Sequence, residues 1–161
     1  AYRFATAFGS SPRLRLDLSV NILTNFAVNK NKIVVFGGKQ LRPNLHIDDY
    51  CSAIECLINA PSDKIKDQIF NVGYQNLSIA EIANKVKKVV EDYFPKIGSI
   101  DIETTPSNDN RSYHISSGKI NKLLGFEPEF TVMNASLTNK FSVFWKDAVP
   151  FTVKSPFTVT V

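Results

Sequence analysis

The stretch FGGKQLRPNLHIDDYCSAI, residues 36–54, contains the signals on which the fold prediction depends. It overlaps the apolar run KIVVF at 32–36, which is typical of a buried strand, and the two glycines that follow indicate a hairpin-type turn. Asp48 or Asp49 is then expected to cap a helix, because carboxylates accept hydrogen bonds from the free N–H groups of a first helical turn. The pattern is therefore strand, turn and helix, with one arginine, Arg42, placed beside a proline.

The alternation of strand and helix patterns continues in both directions from this stretch. Upstream, YRFATAF at 2–8 predicts a strand, and Asp17 is expected to cap an apolar-striped helix. Downstream, Ser78 and Glu81 have the spacing of a capping box at the start of the clearest helix in the chain. The remaining predicted elements are strands at 68–73 and 99–105, a short helix opened by Ser117, and a last helix capped by Thr131 that carries Leu137, Phe141 and Phe144. Regular alternation of this kind predicts an α/β fold.

Composition and charge bound the kinds of partner. The chain has 161 residues, 43% of them hydrophobic and 21% charged, which are the proportions of an ordinary globular domain. No apolar run is long enough to span a membrane. The net charge of +4 is a mild excess without dense Lys/Arg clustering, so we expect neither a membrane nor a nucleic acid as a partner.

The two cysteines and two histidines do not suggest a metal or redox site. Cys51 and Cys56 lie five residues apart on a predicted helix, point in different directions, and cannot bridge each other. We expect both to be buried thiols in a reducing compartment, which favours a cytoplasmic location. His46 and His114 lack the spacing of metal ligands, and we expect structural roles for them.

Four segments in a fixed order carry a resemblance to a known family. They reach Thr131 and are YRFATAFGSSPRLRLDLSVN at 2–21, IVVFGGKQLRPNLHIDDYCSAI at 33–54, FNVGYQNLSIAEIANKV at 70–86 and NRSYHISSGKINKLLGFEPEF at 110–130. Together they resemble the C-terminal half of the extended short-chain dehydrogenases/reductases, the NAD-dependent nucleotide-sugar epimerases and dehydratases. Two features depart from the family pattern: Ser116 stands where an aspartate is usual, and the tail PFTVKSPFTVTV at 150–161 has no counterpart.

The resemblance implies a specific architecture. Residues 1–16 would be a late strand and loop of the Rossmann-like half, residues 17–147 the small α/β substrate-binding domain, and residues 148–161 an atypical extended tail. The family's Gly-rich GxxGxxG turn and its Tyr-x-x-x-Lys pair do not occur in this chain. We therefore expect NAD or NADP to be a cofactor of a complete enzyme, not of this chain alone, and we assign no catalytic residue and no metal ligand here.

The resemblance also implies candidate ligand-binding residues. Arg42 and Arg111 match the family's two diphosphate-binding arginines, and a guanidinium group suits that task because it is planar and always charged. Phe36 is expected to pack on a nucleobase, Thr6 to face the sugar and nicotinamide, and Leu18 to lie near the sugar.

Three functional readings follow. The first is the nucleotide-sugar-binding portion of an NAD(P)-dependent epimerase, dehydratase or reductase, inactive by itself, whose partner is the missing Rossmann half or a second copy of the chain. The second is a non-catalytic nucleotide-sugar-binding module, and the third is a structural or interaction fragment in which the arginines are incidental. Calorimetry with a nucleotide and its loss in Arg42→Ala discriminate between them.

Overall fold

The computed structural model describes residues 1–109 and 111–135. The predicted helix with Leu137, Phe141 and Phe144 and the tail at 148–161 lie outside these residues. The described strands are β1 (Tyr2–Phe4), β2 (Thr6–Phe8), β3 (Lys32–Phe36), β4 (Leu41–His46), β5 (Phe70–Val72), β6 (Gln75–Ser78) and β7 (Asp101–Thr105). The helices are α1 (Ser19–Lys30), α2 (Ile47–Ile58), α3 (Ser62–Ile65), α4 (Ile79–Tyr93) and α5 (Gly118–Leu124), with a 3-10 turn at Pro95–Ile97.

The strands form three small sheets in the described part of the chain. β1 pairs with β5, and β3 pairs with β7, both in parallel. β4 lies between β2, to which it is parallel, and β6, to which it is antiparallel. The parallel pairs are separated along the chain by helices, as parallel connections require. The predicted α/β class is therefore confirmed.

Two clusters of buried side chains organise the molecule. The first joins α1, α4 and β3, and its members include Leu23, Ala27, Ile33, Ile82 and Val86. The second joins β1, β5, α2 and α5, and its members include Leu45, Leu57, Phe70, Val72 and Ile120. Each cluster draws on segments far apart in the chain, so the folded state depends on long-range packing of apolar side chains. The predicted boundaries at residues 16 and 147 remain predictions.

Helix starts agree with the sequence prediction at Ser78 and at Ser117, which immediately precedes α5, and differ in two other cases. The Ser78–Glu81 capping box is present, with the Glu81 N–H donating to Ser78 Oγ and the Ser78 N–H donating to Glu81 Oε2. α1 begins after Leu18 without a side-chain cap, because Asp17 instead pairs with Arg15 two residues earlier. The prediction of Asp17 as the cap was wrong.

α2 also begins differently from the prediction. Its N-cap is His46, whose Nδ1 accepts the N–H of Asp48 at 3.3 Å. Asp49 is 3% exposed, and its carboxylate accepts the backbone N–H groups of Glu129 and Phe130 at 2.9 and 3.0 Å. The carboxylate therefore stabilises a distant loop and does not cap its own helix.

Two strand predictions and one cysteine prediction also need correction. The stretch 2–8 is two strands that pair with different partners, since β1 joins β5 and β2 joins β4. The Gly37–Gly38 turn is not a hairpin, because β3 and β4 belong to different sheets. Cys51 is exposed on α2, whereas Cys56 is half-buried, and both are free.

Within residues 1–109 and 111–135, none of the helices has the length and hydrophobicity to cross a membrane.

Candidate functional site

A cavity of about 360 Å³ opens between α1, the end of β3, β4 and the loop that follows β7. Four of the five ligand-binding residues predicted from the sequence line it: Thr6, Leu18, Phe36 and Arg42. The other lining residues are Asp17, Ser19, Ile22, Leu23, Phe26, Val34, Gln40, Ile79, Ser107, Asp109 and Tyr113. The lining combines apolar side chains with polar and charged groups, which is the usual composition of a small-molecule site.

Arg42 is the cation inside this cavity. It lies on β4, and its side chain is only 15% exposed. Nη1 donates to the carbonyls of Leu41 and Arg111 at 2.9 and 2.5 Å, and Nη2 donates to Asp109 Oδ2 at 3.3 Å. The Tyr113 ring lies beneath the guanidinium, with Cζ 5.1 Å from the ring centroid. These contacts use three of the five guanidinium N–H donors, so the group is held in place without being saturated.

Arg111 contacts the site through Asp109. It is not among the lining residues, and its side chain is 83% exposed. Its Nε and Nη2 donate to the two oxygens of the Asp109 carboxylate at 2.7 and 2.9 Å, and its backbone N–H donates to Oδ1 at 3.1 Å. The hydrogen bonds from Arg111, followed by the charges of Arg111 and Arg42, lower the pKa of Asp109 to about 2. The two arginines therefore meet on one carboxylate.

Hydrogen bonds to two strands hold the loop that carries these residues. On β4, the Leu41 N–H donates to Ser112 Oγ at 2.9 Å, and the Tyr113 N–H donates to the Leu41 carbonyl at 3.4 Å. On β6, the Asn76 amide pairs with the backbone N–H and carbonyl of Ile115 at 2.9 and 3.0 Å. These contacts explain how residues almost 70 positions apart come together.

The other three predicted residues lie on the remaining edges of the cavity. Leu18 is the N-cap of α1 and makes no side-chain cap, so the first N–H groups of this twelve-residue helix are not satisfied by a capping side chain. Thr6 is on β2, beside Asn44 of β4. Phe36 is the last residue of β3 and is 60% exposed, which leaves its ring available at the rim.

The sequence prediction missed several lining residues, of which Asp109 and Tyr113 make the closest contacts with Arg42. Tyr113 follows Arg111 by two positions within the R-x-(Y/F) pattern, so that pattern already contained the signal. Asp109 precedes Arg111 by two positions, a spacing that permits the observed turn in which its carboxylate accepts the Arg111 N–H. Asp17 was placed as a helix cap, but it lines the cavity while paired to Arg15.

The described residues contain no glycine-rich turn of the kind that opens a dinucleotide site. Such a site needs a glycine-rich turn that leads from a strand to the N-terminus of a helix. β4 passes directly into α2, and the connection from β2 to α1 contains a single glycine, Gly9. Nor do residues 1–109 and 111–135 bring three His, Cys, Asp or Glu side chains together as metal ligands would require.

Comparison with known families gives a match at the N-terminal side of the chain. Residues 2–73 match the model of the NAD dependent epimerase/dehydratase family. This range contains β1 to β5, including Thr6, Leu18, Phe36 and Arg42, but not Arg111. The sequence resemblance to that family is thereby confirmed.

Solved structures show where the fold recurs. The chain is similar to UDP-glucuronic acid 4-epimerase from Bacillus cereus, solved with UDP-glucuronic acid and NAD, at a TM-score of 0.72 and 19% identity over 90% of this chain and 44% of that one. For dTDP-glucose 4,6-dehydratase from Bacillus anthracis, solved with NAD, the TM-score is 0.68 and the identity 21%, over 91% and 44%. For L-threonine dehydrogenase from Phytophthora infestans, the TM-score is 0.71 and the identity 17%, over 90% and 48%.

The chain thus spans less than half the length of these structures, and the likeness covers nine-tenths of its own length. Residues 2–73 match the NAD-dependent epimerase/dehydratase family, and the chain has the Rossmann-like α/β fold of the extended short-chain dehydrogenases/reductases.

Proposed function

We propose that this chain forms the nucleotide-sugar-binding part of an NAD(P)-dependent epimerase, dehydratase or reductase. The observation that carries the proposal is the convergence of Thr6, Leu18, Phe36 and Arg42 on one cavity, with Arg111 reaching its edge through Asp109. Residues chosen from four separate parts of the sequence would not be expected to meet at one cavity by chance.

The charges around the cavity suit a diphosphate. Arg42 lines the cavity, and Arg15 and Arg111 are paired with the carboxylates of Asp17 and Asp109, which also line it. The N-terminus of α1 adds partial positive charge at Leu18, where the helix has no side-chain cap. A phosphate group between β4 and this helix end would therefore meet donors from both sides.

The apolar residues that line the cavity suit the rest of a nucleotide-sugar. The exposed ring of Phe36 offers a flat face for a nucleobase, and base–aromatic stacking contributes about 1–3 kcal/mol. Thr6 is placed to donate a hydrogen bond to a sugar hydroxyl, and the backbone at Leu18 borders the same space. The name of L-threonine dehydrogenase indicates that this fold also serves other substrates.

The cofactor would be held outside this chain, by a Rossmann half in the same longer polypeptide or in a separate one. Within the described residues β1 has a strand partner on one side only, β5, and Tyr2 and Ile69 beside it are 44% and 46% exposed. An unpaired strand edge of this kind accepts a further strand. We propose that the cofactor-binding half, or a second copy of the chain when that half is absent, covers this edge. The two free cysteines are compatible with the cytoplasmic location expected from the sequence.

Titration calorimetry of the full chain with UDP, dTDP and inorganic pyrophosphate tests the proposal. Saturable binding of a nucleoside diphosphate is expected, and Arg42→Ala should weaken it at least about 30-fold, because a charge-assisted contact of about 2 kcal/mol or more is removed. Arg3→Ala is the matched control, since Arg3 is exposed on β1 and does not line the cavity.

Two results would overturn the assignment. Absence of nucleotide binding would leave a structural or interaction role, and equal binding by wild type and Arg42→Ala would place the nucleotide elsewhere. A non-catalytic module is distinguished by a further step, in which the chain is mixed with the cofactor-binding half of a related enzyme. Recovery of NAD reduction with a nucleotide-sugar would support the enzyme, and binding without recovery would support the module.

A further inference from the structure

The site contains a negative charge that the proposed ligand would have to replace. Asp109 accepts two side-chain hydrogen bonds from Arg111, one backbone hydrogen bond from Arg111 and one hydrogen bond from Arg42. Its carboxylate therefore occupies the position between the two guanidinium groups where an anionic ligand would bind. No other described residue contacts both guanidinium groups through a carboxylate.

We infer that Asp109 is the resident counter-ion of this site, which an anionic ligand must displace before Arg42 and Arg111 can both bind it. The inference rests on the proposed function, because it concerns the anion that the same two arginines would bind. It adds a residue that lowers the affinity of the site for anions.

Competition gives the reason for this effect. A ligand that displaces Asp109 exchanges one carboxylate for its own anion, so the observed affinity is the intrinsic affinity reduced by the fraction of molecules in which the two guanidinium groups are free. A diphosphate brings at least two negative charges and enough acceptor oxygens to replace the carboxylate at Arg42 and Arg111 together. The resident carboxylate therefore lowers the affinity of every ligand that displaces it by about the same factor.

The positions of the two arginines support displacement. Arg42 is 15% exposed and is anchored by the Leu41 and Arg111 carbonyls, so it keeps its place when Asp109 leaves. Arg111 is 83% exposed, and its side-chain partner in the described structure is Asp109. Once the carboxylate is released, the long Arg111 side chain is able to turn toward the cavity. Asp109 thus holds Arg111 outside the cavity until a stronger anion competes for it.

The opposite role is physically possible and predicts the opposite sign. If Asp109 mainly organised the two arginines for the ligand, its removal would weaken binding of every anion. Asp109→Asn separates the two cases, because the amide oxygen can still accept the Arg111 N–H while the negative charge is gone.

The experiment measures binding of UDP and inorganic pyrophosphate to the full chain by calorimetry. We expect Asp109→Asn to bind UDP about 3- to 10-fold tighter than wild type, the range expected when a partly exposed ion pair no longer competes. Inorganic pyrophosphate should gain by a similar factor, because it displaces the same carboxylate. Asp92→Asn is the control: it removes the same charge from an exposed ion pair with Lys88 on α4 and should leave both affinities unchanged.

The outcomes separate this inference from the proposed function. Wild type that binds UDP through Arg42, with Asp109→Asn binding UDP equally or more weakly, overturns the counter-ion role and leaves the proposed function standing. An unchanged affinity for inorganic pyrophosphate also overturns it. Lack of UDP binding by both proteins overturns the proposed function and the inference with it. Asp109→Ser, measured in parallel with thermal unfolding of each variant, shows whether a loss of binding comes from a loss of folding.

Discussion

The guanidinium group of Arg42 donates a hydrogen bond to the backbone carbonyl of Arg111, 69 positions later in the chain. This contact joins strand β4 to the loop between β7 and α5, and the charged groups of both residues then meet at Asp109. A strand position and a loop position are thus made into one site by backbone and side-chain hydrogen bonds together.

Arg42→Lys is expected to impair the site although it conserves the charge. Nη1 reaches two carbonyls while Nη2 reaches Asp109, and a single ammonium group on a flexible stem cannot reproduce that planar fork. We expect UDP binding about tenfold weaker and a loss of about 1–3 kcal/mol in the free energy of unfolding. Calorimetry and urea unfolding measure the two effects. Arg3→Lys serves as the control, and full UDP affinity in Arg42→Lys would show that the fork geometry is not used.

Asp49→Asn should destabilise the fold without touching the cavity. The buried carboxylate accepts two backbone N–H groups, whereas an amide presents an NH2 group to one of them and leaves a donor facing a donor. The expected cost is about 2–4 kcal/mol in the free energy of unfolding, measured by urea titration. Asp48→Asn, one residue earlier and with its side chain 39% exposed, should cost less than about 1 kcal/mol. Equal effects of the two substitutions would refute the proposed role of Asp49.

Gly73→Ala should be destabilising for steric reasons. A Cβ atom at Gly73 would lie 2.6 Å from Ile115 Cδ1 and 3.0 Å from the Ala5 Cβ, which is closer than such atoms pack. The neighbouring main chain is also tied down, because Ser117 Oγ bonds both the N–H and the carbonyl of Gly73 at 2.8 Å. We expect a loss of about 1–3 kcal/mol, read from the shift in the thermal midpoint.

Gly118→Ala is the matched control for that substitution. A Cβ atom there meets only Ser116 Oγ, at 3.6 Å, and the residue opens α5. Alanine at this position should be neutral or stabilise by up to about 1 kcal/mol, because it restricts the unfolded chain. If both alanine variants unfold at the same temperature, the close approach at Gly73 does not contribute to stability.

The Asp109 ion pairs predict a defined acid dependence of stability. Hydrogen bonds from Arg111 and the nearby charges of Arg111 and Arg42 lower the pKa of Asp109 from 3.8 to about 2. Because the pKa is lower in the folded state than in the unfolded state, the stabilisation is fully present above pH 3.8 and is lost as the pH falls toward 2. The difference in unfolding free energy between wild type and Asp109→Asn should therefore be constant from pH 7 to pH 5 and shrink below pH 4.

Urea unfolding at a series of pH values measures this difference directly. Asp92→Asn, which removes an exposed carboxylate distant from Arg42 and Arg111, is the comparison for general acid effects. A difference that stays constant down to pH 3 would mean that the Asp109 carboxylate has no preferential interaction in the folded state.

The features that sequence reasoning predicted well are local ones. Ser78 and Glu81 are three residues apart, and the apolar stripe that follows them specifies the helix face, so the start of α4 is encoded within one turn. The strand at 32–36 was likewise found from its own apolar run. The proximity of Arg42 and Arg111 was expected through the family resemblance and could not come from periodicity, since the two residues lie in separate elements.

Features that depend on distant neighbours were missed. Asp49 was taken as a possible helix cap, a role its position favours, but a loop 80 residues later supplies better donors for its carboxylate. The glycine pair after Phe36 was taken as a hairpin turn, but β3 finds its partner in β7, about 70 residues downstream. Asp109 was not singled out, because a carboxylate in a polar loop is ordinary until the arginines beside it are known.

Residue order alone specified the alternation of strands and helices, the capping box and the type of each candidate side chain, since hydrogen bonds and hydrophobic periodicity within a few residues decide these. The tertiary structure decided which strands pair, that Asp49 stabilises a distant loop, and that Arg42 and Arg111 share the carboxylate of Asp109. Those outcomes depend on burial and on hydrogen-bond partners brought from far along the chain, and such partners exist only once the chain has folded.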